Sequence, residues 1–470
     1  TLSSSSAASD VYKRQVLIEA YQDSGLSEQK SAQLIFGGFK ADGKLPVSVG
    51  KKFKAGDGIE TSAKIRFAYT TPEDAGMNAD FLEHGIDSLM QQAMDAKAIP
   101  GGVVLVAKDE KIVFQKAYGL HKYSDTVKTK TSDIFDLASV TKISSALPAL
   151  MKLQDEGKFS LEDGIDDYLP YFRNSNKAGI PFRQILAHQA RFKPWIAYWQ
   201  NTLRKNGSYK WNTFKKDSSA RFPVKVSDDM WLHRNYKKKI YKAIKKSPLE
   251  DKAEYKYSGL AFYLLPQIVE NLSGEDYRKY LDDNFYSKLG ATTLGYRPME
   301  EFEISRIVPT ENDFMFRHKP IHGSVHDEGA IMMGGISANA GLFSDANDLA
   351  KLMQMYLNMG EYGGERYIEE TTFKEWTKTQ FPENDNRRAI GFDKPNLKYT
   401  GPDNNTAKDA SAASFGHTGF TGTMVWMDPA KSLLFVFLSN RVLPTRDNTR
   451  LYSLNTRTQI QQVLYDAIKK

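Results

Sequence analysis

Residues 416–438 read GHTGFTGTMVWMDPAKSLLFVFL, and this stretch carries the clearest fold signal in the chain. Two apolar runs, 423–427 and 433–438, flank the turn sequence Asp428-Pro429-Ala430-Lys431, and this arrangement predicts a β-hairpin. The glycine-rich residues 416–422 precede the hairpin and predict a strand edge whose backbone N–H groups are open to a ligand. The end of the chain is therefore expected to supply strands to a sheet.

A second hairpin is predicted far upstream, from the runs 103–107 and 112–118 around Lys108-Asp109-Glu110-Lys111. Apolar residues recur with helical spacing over 79–96 and again over 456–468. Strands near both ends with helices between them predict an α+β sandwich rather than βαβ repeats. In this fold an antiparallel sheet is flanked by the terminal helices, and the middle of the chain forms a helical subdomain.

Composition excludes several classes of protein. The chain has 470 residues, of which 41% are hydrophobic, so it can build a core, and it contains no cysteine. Disulfide scaffolds, thiolate zinc sites and cysteine nucleophiles are thereby excluded. No apolar run approaches the roughly 18 residues of a membrane span. The net charge of +7 is concentrated in residues 201–250, where 14 Lys and Arg stand against 4 Asp and Glu, and no nucleic-acid-binding motif accompanies them.

The first 77 residues do not form a domain of their own. Residues 1–15 are serine-rich and resemble a translated sequencing-library adapter, so they are set aside and the absence of a signal peptide carries no information. Residues 16–63 predict a buried strand at 16–21 and a helix at 27–36, too little to bury a core. The run LIFGGFKADGKLPVS at 34–48, followed by Gly56-Asp57-Gly58, resembles the end of the C-terminal domain of family 3 glycoside hydrolases. Residues 64–77 are interpreted as a linker.

The sequence Ser-x-x-Lys occurs three times, at Ser27, Ser48 and Ser139, which is close to chance. Only Ser139 begins a predicted amphipathic helix, where the positive end of the helix dipole would favour a developing oxyanion. Three residues on, Lys142 is expected on the same helix face, within reach of the serine hydroxyl. The alternative is an ordinary helix-capping serine with a surface lysine.

Two further motifs favour the catalytic interpretation. Tyr257-Ser258-Gly259 precedes a second predicted helix, and His417-Thr418-Gly419 begins the glycine-rich strand edge. In this order the three motifs resemble S-x-x-K, Y-x-N and [KH]-T-G of the penicillin-binding-protein and class C β-lactamase family of serine hydrolases. The resemblance covers residues 78–470, and the runs 185–188 (ILAH) and 339–344 (NAGLFS) support it.

This resemblance implies a set of roles. Ser139 is the nucleophile, Lys142 tunes it, and Tyr257 exchanges protons as a phenolate that the nearby positive charge of Lys142 favours. The backbone N–H groups of Ser139 and Phe420 form the oxyanion hole. Substrate binding is assigned to residues of the second and third motifs, namely Gly259, His417, Thr418 and Gly419. No metal and no other cofactor is implied.

The expected reaction is acyl transfer to water on an ester or amide, through an acyl-enzyme. By resemblance the substrate is a small molecule or a cell-wall fragment, and the protein is periplasmic or secreted. The glycosidase-like residues 16–63 predict a fusion with a family 3 glycosidase, and contact with its missing part is expected. Neither a nucleic-acid partner nor a transmembrane segment is expected.

Three departures from the family pattern leave an alternative open. Gly259 stands where the family often has asparagine or aspartate, so a side chain that would bond a substrate amide is absent, which favours esters. Pro148 and Pro266 lie inside the two predicted motif helices, and each removes a backbone hydrogen bond. The alternative function is a non-catalytic binding module of the glycosidase with a degenerate site.

Two weaker signals have competing interpretations. His318, His322 and His326 recur every four residues, as metal ligands would, and a metal-dependent hydrolase is a third hypothesis. However, Pro320 and Gly323 interrupt any helix there, and a structural His326–Asp327 pair is the favoured interpretation. The basic residues 201–250 predict either a helical lid that attracts anionic substrates or a solvated helical face with aromatic side chains packed beneath it.

Overall fold

The computed structural model describes residues 16–61, 65–124, 126–401 and 404–469. The chain divides into two compact units, and the division falls between Tyr69 and Thr70. This division lies inside the predicted linker, residues 64–77. The adapter-like residues 1–15 lie outside the described residues.

The described residues of the first unit form one helix, α1 (Gly25–Ile35), and a two-residue strand, Ala68–Tyr69. The helix begins at Ser24, whose hydroxyl accepts the N–H of Ser27 at 3.2 Å, and none of its residues is buried. The helix predicted over 27–36 is therefore confirmed, with an earlier start. The buried strand predicted at 16–21 is wrong, because these residues are exposed and have no strand geometry.

The second unit is built on an antiparallel sheet. The second unit contributes five strands to it, and they come from both ends of the unit. From one side to the other the order is β2, β1, β5, β4 and β3, and the C-terminal hairpin joins the N-terminal one where Val436 pairs with Leu105. Both predicted hairpins and the predicted α+β sandwich are confirmed. The strands are β1 (Gly101–Lys108), β2 (Lys111–Gly119), β3 (Phe415–Thr418), β4 (Met424–Asp428) and β5 (Leu433–Ser439).

Helices cover both faces of this sheet. The longer ones are α2 (Ala79–Asp95), α3 (Leu147–Asp155), α4 (Tyr236–Lys246), α5 (Leu265–Ser273), α6 (Ala346–Leu357) and α7 (Thr456–Lys469). The terminal helices α2 and α7 pack together, and their Ile86 and Leu464 share a core with Val104 and Phe437 of the sheet. Side chains alternate along each strand, so the residues next to Val104 and Phe437 point to the other face of the sheet. On that face α6 packs against β1, β4 and β5.

Shorter elements complete the second unit. A small antiparallel sheet is formed by Phe135–Asp136, Leu342–Ser344 and Gly295–Tyr296. Its strand Phe135–Asp136 comes directly before the segment that contains Ser139. Two small hairpins pair Glu311–Asp313 with Lys319–Ile321 and Glu361–Tyr362 with Glu365–Arg366. The short helices are Ile165–Tyr168, Phe182–Leu186, Tyr277–Leu281, Ser287–Leu289, Glu328–Met332, Glu370–Thr377 and Arg450–Ser453. Across the described helices, none combines the length and the apolar character needed to traverse a bilayer.

The basic segment 201–250 is only partly helical. It contains a three-stranded sheet, Phe214–Lys215, Met230–Leu232 and Val224–Ser227, before α4, so the helical character expected of this segment is corrected to a mixture of strands and one helix. Helix α4 buries Tyr236, Ile240, Tyr241 and Ile244 and turns most of its lysines to solvent. This packing agrees with a solvated basic face whose aromatic side chains anchor it to the domain, whereas the lid interpretation stays a prediction.

Candidate active site

Ser139 lies in the turn that leads from the strand Phe135–Asp136 into the first motif helix. The preceding residue, Ala138, has a φ of 47°, and its N–H donates to Oδ1 of Asp136 at 2.9 Å. A non-glycine residue in this left-handed region carries backbone strain of about 1 kcal/mol or more. The turn therefore places Ser139 directly after a strained residue, Ala138, whose conformation the surrounding structure must hold in place.

Lys142 contacts the serine as predicted. Its side chain is buried, and Nζ donates to Oγ of Ser139 at 2.9 Å and to the carbonyl of Asn339 at 2.8 Å. The ammonium has three N–H groups, so these two bonds leave one free to face the rest of the pocket. The surface-lysine alternative is wrong, because Lys142 is one of the buried charged residues of the chain.

The helix that carries Lys142 accommodates Pro148 through a local change of pitch. Residues Lys142–Ala146 form a π-helical turn, and the N–H of Leu147 donates to the carbonyl of Lys142. Two carbonyls in this turn lose the N–H donors that a regular helix would supply, and tyrosine hydroxyls donate to these carbonyls instead. Tyr356 donates to Ile143 at 2.6 Å and Tyr286 donates to Ser144 at 2.8 Å. The predicted loss of one helical bond at Pro148 is thus compensated.

Tyr257 reaches the same pocket from an extended segment rather than from a helix. A 3-10 turn, Ala261–Tyr263, follows the motif, and α5 begins only at Leu265. Pro266 is accordingly in the first turn of α5, where its missing N–H costs little. The predicted interruption of this helix is wrong for that reason.

The Tyr257 ring is surrounded by cations and imidazoles. Nζ of Lys142 is 5.3 Å from the ring centroid, and the Arg388 guanidinium carbon is 5.7 Å from it. The rings of His188 and His417 have centroids 4.6 and 5.9 Å away. The Tyr257 hydroxyl is buried and has no hydrogen-bond partner among the described residues. Two cations and two imidazoles therefore line the pocket around this ring.

His417 lies in the edge strand β3, and its imidazole is buried. Its Nδ1 donates to the carbonyl of Thr418 at 2.7 Å, since that oxygen can only accept, and its buried Nε2 has no partner within the described residues. Burial, with the nearby charges of Arg388 and Lys142, lowers the pKa of His417 to about 3. The imidazole can therefore accept a hydrogen bond from a substrate group at neutral pH.

The two predicted oxyanion-hole donors are both available. In the described part of the chain, neither the N–H of Ser139 nor that of Phe420 donates to another protein group. The carbonyl of Gly419 accepts the N–H of Gly422 at 3.0 Å. Because C=O and N–H point in opposite directions in a trans peptide, the N–H of Phe420 points away from that turn.

Gly259 leaves space beside Asn339. A Cβ built on Gly259 would meet only the Cβ of Asn339, at 3.9 Å, which is an ordinary contact. The Asn339 amide is itself engaged, donating to the Tyr263 hydroxyl at 3.1 Å and accepting from Ser337 at 2.6 Å. A side chain at position 259 would therefore fit beside Asn339 without a clash.

The histidine series does not form a joint ligand set within the described ranges. His326 approaches Asp136, with Nδ1 3.3 Å from Oδ2, so the predicted pairing with Asp327 is wrong. Asp327 instead caps the helix Glu328–Met332, accepting from Ala330 at 2.7 Å. His322 donates to the Ile307 carbonyl at 2.6 Å. His322 and His326 therefore have separate structural partners rather than a shared ligand.

A buried acidic cluster, Glu311, Asp313 and Glu328, has the spacing of metal ligands. Arginines already neutralise it: Arg446 pairs with both glutamates at 2.5 and 2.8 Å, and Arg317 pairs with Asp313 at 2.8 Å. This cluster is explained as a buried salt-bridge network.

Comparison with known proteins assigns the family. The family model described as Beta-lactamase matches residues 86–458. A protein of Escherichia coli (strain K12), described as "Putative D-alanyl-D-alanine carboxypeptidase", is 31% identical over 393 residues, covering 79% of this chain and 85% of that protein. A Salmonella gallinarum protein with the same description is 31% identical over 401 residues, with the same coverage.

Solved structures agree on the fold. EstCE1, described as a hydrolase with promiscuous acyltransferase activity, superposes with a TM-score of 0.60 at 17% identity, over 82% of this chain and 99% of that one. A penicillin-binding protein homologue from Caulobacter crescentus gives 0.58 at 16% identity, over 83% and 99%. A class C β-lactamase from Rhodobacter sphaeroides gives 0.56 at 16% identity, over 82% and 100%. The chain belongs to the Beta-lactamase family of serine hydrolases, which includes penicillin-binding proteins.

Three pocket residues were not predicted as site residues. His188 and Asn339 lie in the runs 185–188 and 339–344, which supported the resemblance without being given a role. Arg388 carries no local motif. A buried arginine beside a tyrosine ring depends on packing between distant segments, which sequence spacing does not reveal.

Proposed function

We propose that this protein is an active-site-serine hydrolase that forms an acyl-enzyme on Ser139. The observation that carries the proposal is the bond from the buried Lys142 ammonium to the Ser139 hydroxyl, in a pocket that also contains Tyr257. The same buried ammonium donates to the carbonyl of Asn339, 197 residues away. An ordinary helix-capping serine at the surface is not expected to contact such a buried cation.

In the proposed acylation, Oγ of Ser139 attacks the substrate carbonyl and its proton passes to the Tyr257 phenolate. The carbonyl oxygen becomes an oxyanion facing the N–H groups of Ser139 and Phe420. When the oxyanion collapses, the bond to the leaving group breaks and the leaving group takes the proton from Tyr257. Lys142 keeps its positive charge throughout and stabilises the phenolate.

Deacylation uses the same groups in the reverse direction. Water attacks the acyl carbon and gives its proton to the Tyr257 phenolate. The bond between the acyl carbon and Oγ then breaks, and Oγ of Ser139 recovers the proton from Tyr257. Acid is released and the starting state of the three side chains is restored.

For the substrate we propose an acylated D-alanine peptide or the matching ester, derived from the cell wall. The descriptions of the 31% identical relatives support the peptide. Gly259 supports the ester, because no side chain at that position can bond the substrate amide. Such a substrate is consistent with a periplasmic or secreted protein, and we propose residues 16–63 as the end of a family 3 glycosidase part.

Covalent labelling tests the proposal. The full chain is treated with a fluorophosphonate or penicillin probe and the adduct is mapped by mass spectrometry. We expect labelling at Ser139, its loss in Ser139→Ala, and its persistence in Ser144→Ala, a buried serine on the same helix. A folded protein without an adduct would favour the non-catalytic binding module, and inhibition by a chelator would favour the metal-dependent hydrolase.

The substrate class is tested with a matched pair, an acyl-D-alanyl-D-alanine peptide and the same compound ending in D-lactate. The two differ only in one amide against one ester. Faster turnover of the ester supports the role given to Gly259, whereas equal or faster turnover of the peptide assigns the carboxypeptidase activity.

A further inference from the structure

The two oxyanion-hole segments are tied together by threonine hydroxyls. Oγ1 of Thr421 donates to the carbonyl of Asp136 at 2.8 Å, and Oγ1 of Thr423 donates to the carbonyl of Leu137 at 3.0 Å. Both threonines are buried. Residues 136–139 and the loop 419–423 are therefore joined by two buried hydrogen bonds.

Glycine at position 419 permits this close approach. A Cβ there would overlap Oγ1 of Thr423 and the carbonyl oxygen of Leu137. The N–H of Gly419 also donates to the carbonyl of Thr423 at 2.8 Å. The turn is thus closed by hydrogen bonds on the Gly419 side of Phe420.

Arg441 holds the other side of Phe420. Its Nε and Nη2 both donate to the Phe420 carbonyl, at 3.0 and 2.5 Å, and Nη1 donates to the carbonyl of Asn448. The guanidinium carbon lies 4.7 Å from the Phe420 ring centroid and 4.6 Å from that of Tyr452. This buried arginine is therefore fixed by both hydrogen bonds and ring contacts.

The Phe420 ring also contacts His326. The imidazole and phenyl rings are stacked, 5.6 Å apart with an angle of 11° between their planes. The backbone N–H of His326 donates to Oδ2 of Asp136 at 2.8 Å. Phe420 is therefore connected back to the segment that precedes Ser139.

We propose that Arg441 is a positioning residue that orients the Phe420 N–H in the oxyanion hole. Rotation about the two backbone bonds of Phe420 decides where its N–H points relative to the following carbonyl. The Gly419–Gly422 bond fixes the peptide before Phe420, and Arg441 fixes the peptide after it. With both peptides held, the donor needs no reorganisation when the oxyanion forms.

This inference rests on the proposed serine hydrolase activity, and Arg441→Lys tests it. Lysine keeps the charge but can neither donate twice in the plane of the carbonyl nor stack between two rings. We expect kcat to fall about 10- to 100-fold with KM little changed, since loss of an oxyanion donor costs about 10²–10³. Affinity for a boronic acid, which forms a tetrahedral anion on the serine, should fall by the same factor.

Arg183→Lys is the matched control, since Arg183 bonds Glu162, Glu375 and Gln380 away from the loop 419–423. It should leave both measurements unchanged. Unchanged kcat and boronate affinity in folded Arg441→Lys would overturn the inference, as would a rise in KM alone. Failure of wild-type Ser139 to accept the covalent probe would instead overturn the proposed function.

A second variant keeps the inference testable if Arg441→Lys does not fold. Tyr452 is half-exposed and contacts the guanidinium without touching the Phe420 carbonyl. We expect Tyr452→Leu to fold and to lower kcat and boronate affinity together, by about 3- to 10-fold. A folded Tyr452→Leu with both values intact, alongside an Arg441→Lys that does not fold, would leave Arg441 a structural residue and reject the positioning role.

Discussion

The two sides of the pocket differ in how their polar groups are bonded. On the serine side, residues 136–148, Lys142 makes two hydrogen bonds and the carbonyls released near Pro148 receive tyrosine hydroxyls, although the buried Ser144 hydroxyl has no partner among the described residues. On the tyrosine side, formed by Tyr257, Arg388 and His417, each side chain has a buried polar atom without a partner among the described residues.

This difference marks the tyrosine side as the part of the pocket with more unused hydrogen-bonding capacity. A buried polar atom left unbonded costs about 1–3 kcal/mol, and such costs concentrate where function requires them. Most polar groups on the serine side are bonded, although one N–H of Lys142 and the N–H of Ser139 stay available, whereas each of the three side chains on the tyrosine side keeps an unbonded buried atom. Substitutions on the two sides should therefore have opposite balances of activity and stability.

The largest expected effect is on the serine side, in Lys142→Met. Loss of the ammonium removes the donor to Ser139 and a positive charge from the pocket, so acylation should slow by about 10³-fold or more. Single-turnover labelling of Ser139 measures this rate. Lys177→Met is the control, because Lys177 is equally buried and bonds Ser247 and Asn176 outside the pocket. Comparable rates in the two variants would contradict the role of Lys142.

A tyrosine pair tests the contrast directly. Tyr257→Phe removes a hydroxyl with no protein partner, so turnover should fall about 10²- to 10⁴-fold while the free energy of unfolding stays the same or rises. Tyr286→Phe removes the donor to Ser144 and should lower the free energy of unfolding by about 1 kcal/mol. Denaturant titration and steady-state kinetics on both variants check this. A destabilised Tyr257→Phe would show that its hydroxyl is bonded.

The tyrosine side should also make the protein sensitive to acid. Burial lowers the pKa of His417 to about 3, whereas an unfolded histidine titrates near 6.5. The unfolded state therefore binds a proton first, and stability present above about pH 6.5 is lost as pH falls toward 3. Urea unfolding between pH 4 and 7 should show a shallower loss in His417→Asn than in the wild type. His84→Asn, at an exposed position, is the control, and equal slopes in all three proteins would refute this origin.

The smallest expected effect is in Gly259→Asn. The added side chain meets only an ordinary contact with Asn339, so the free energy of unfolding should change by less than about 0.5 kcal/mol. Turnover of the amide should rise relative to the ester, by up to about 10-fold, because the amide gains a hydrogen bond of about 1 kcal/mol. The matched peptide and D-lactate compounds measure this ratio. A ratio that does not move would show that Gly259 has no part in substrate preference.

Much of the fold could be predicted because its signals are local. The hairpins of β1 with β2 and of β4 with β5 follow from apolar runs around polar turns, and α2 and α7 follow from helical spacing. The strand predicted at 16–21 failed, since an apolar run becomes a strand only where another strand pairs with it. The small sheet in residues 201–250 was missed because its strands are only two to four residues long.

The motif residues of the site could be predicted from the sequence, but several of their hydrogen-bond partners could not. The spacing between Ser139 and Lys142 correctly predicted their contact, because three residues on a helix share a face. The partner of His326 was predicted wrongly, since the sequence neighbour Asp327 was favoured over Asp136, 190 residues away. The effect of Pro148 also depended on distant residues, because two remote tyrosines supply the missing donors.

By itself, the amino-acid sequence determined the motifs, the two hairpins and the terminal helices of this protein, all of which depend on residues close together along the chain. Only the tertiary structure decided what each motif residue bonds. The Asn339 carbonyl reaches Lys142 across 197 residues, and Thr421 reaches Asp136 across 285. Such partners are set by how the sheet and helices pack, because hydrogen bonds depend on distance and direction in space and not on position in the sequence.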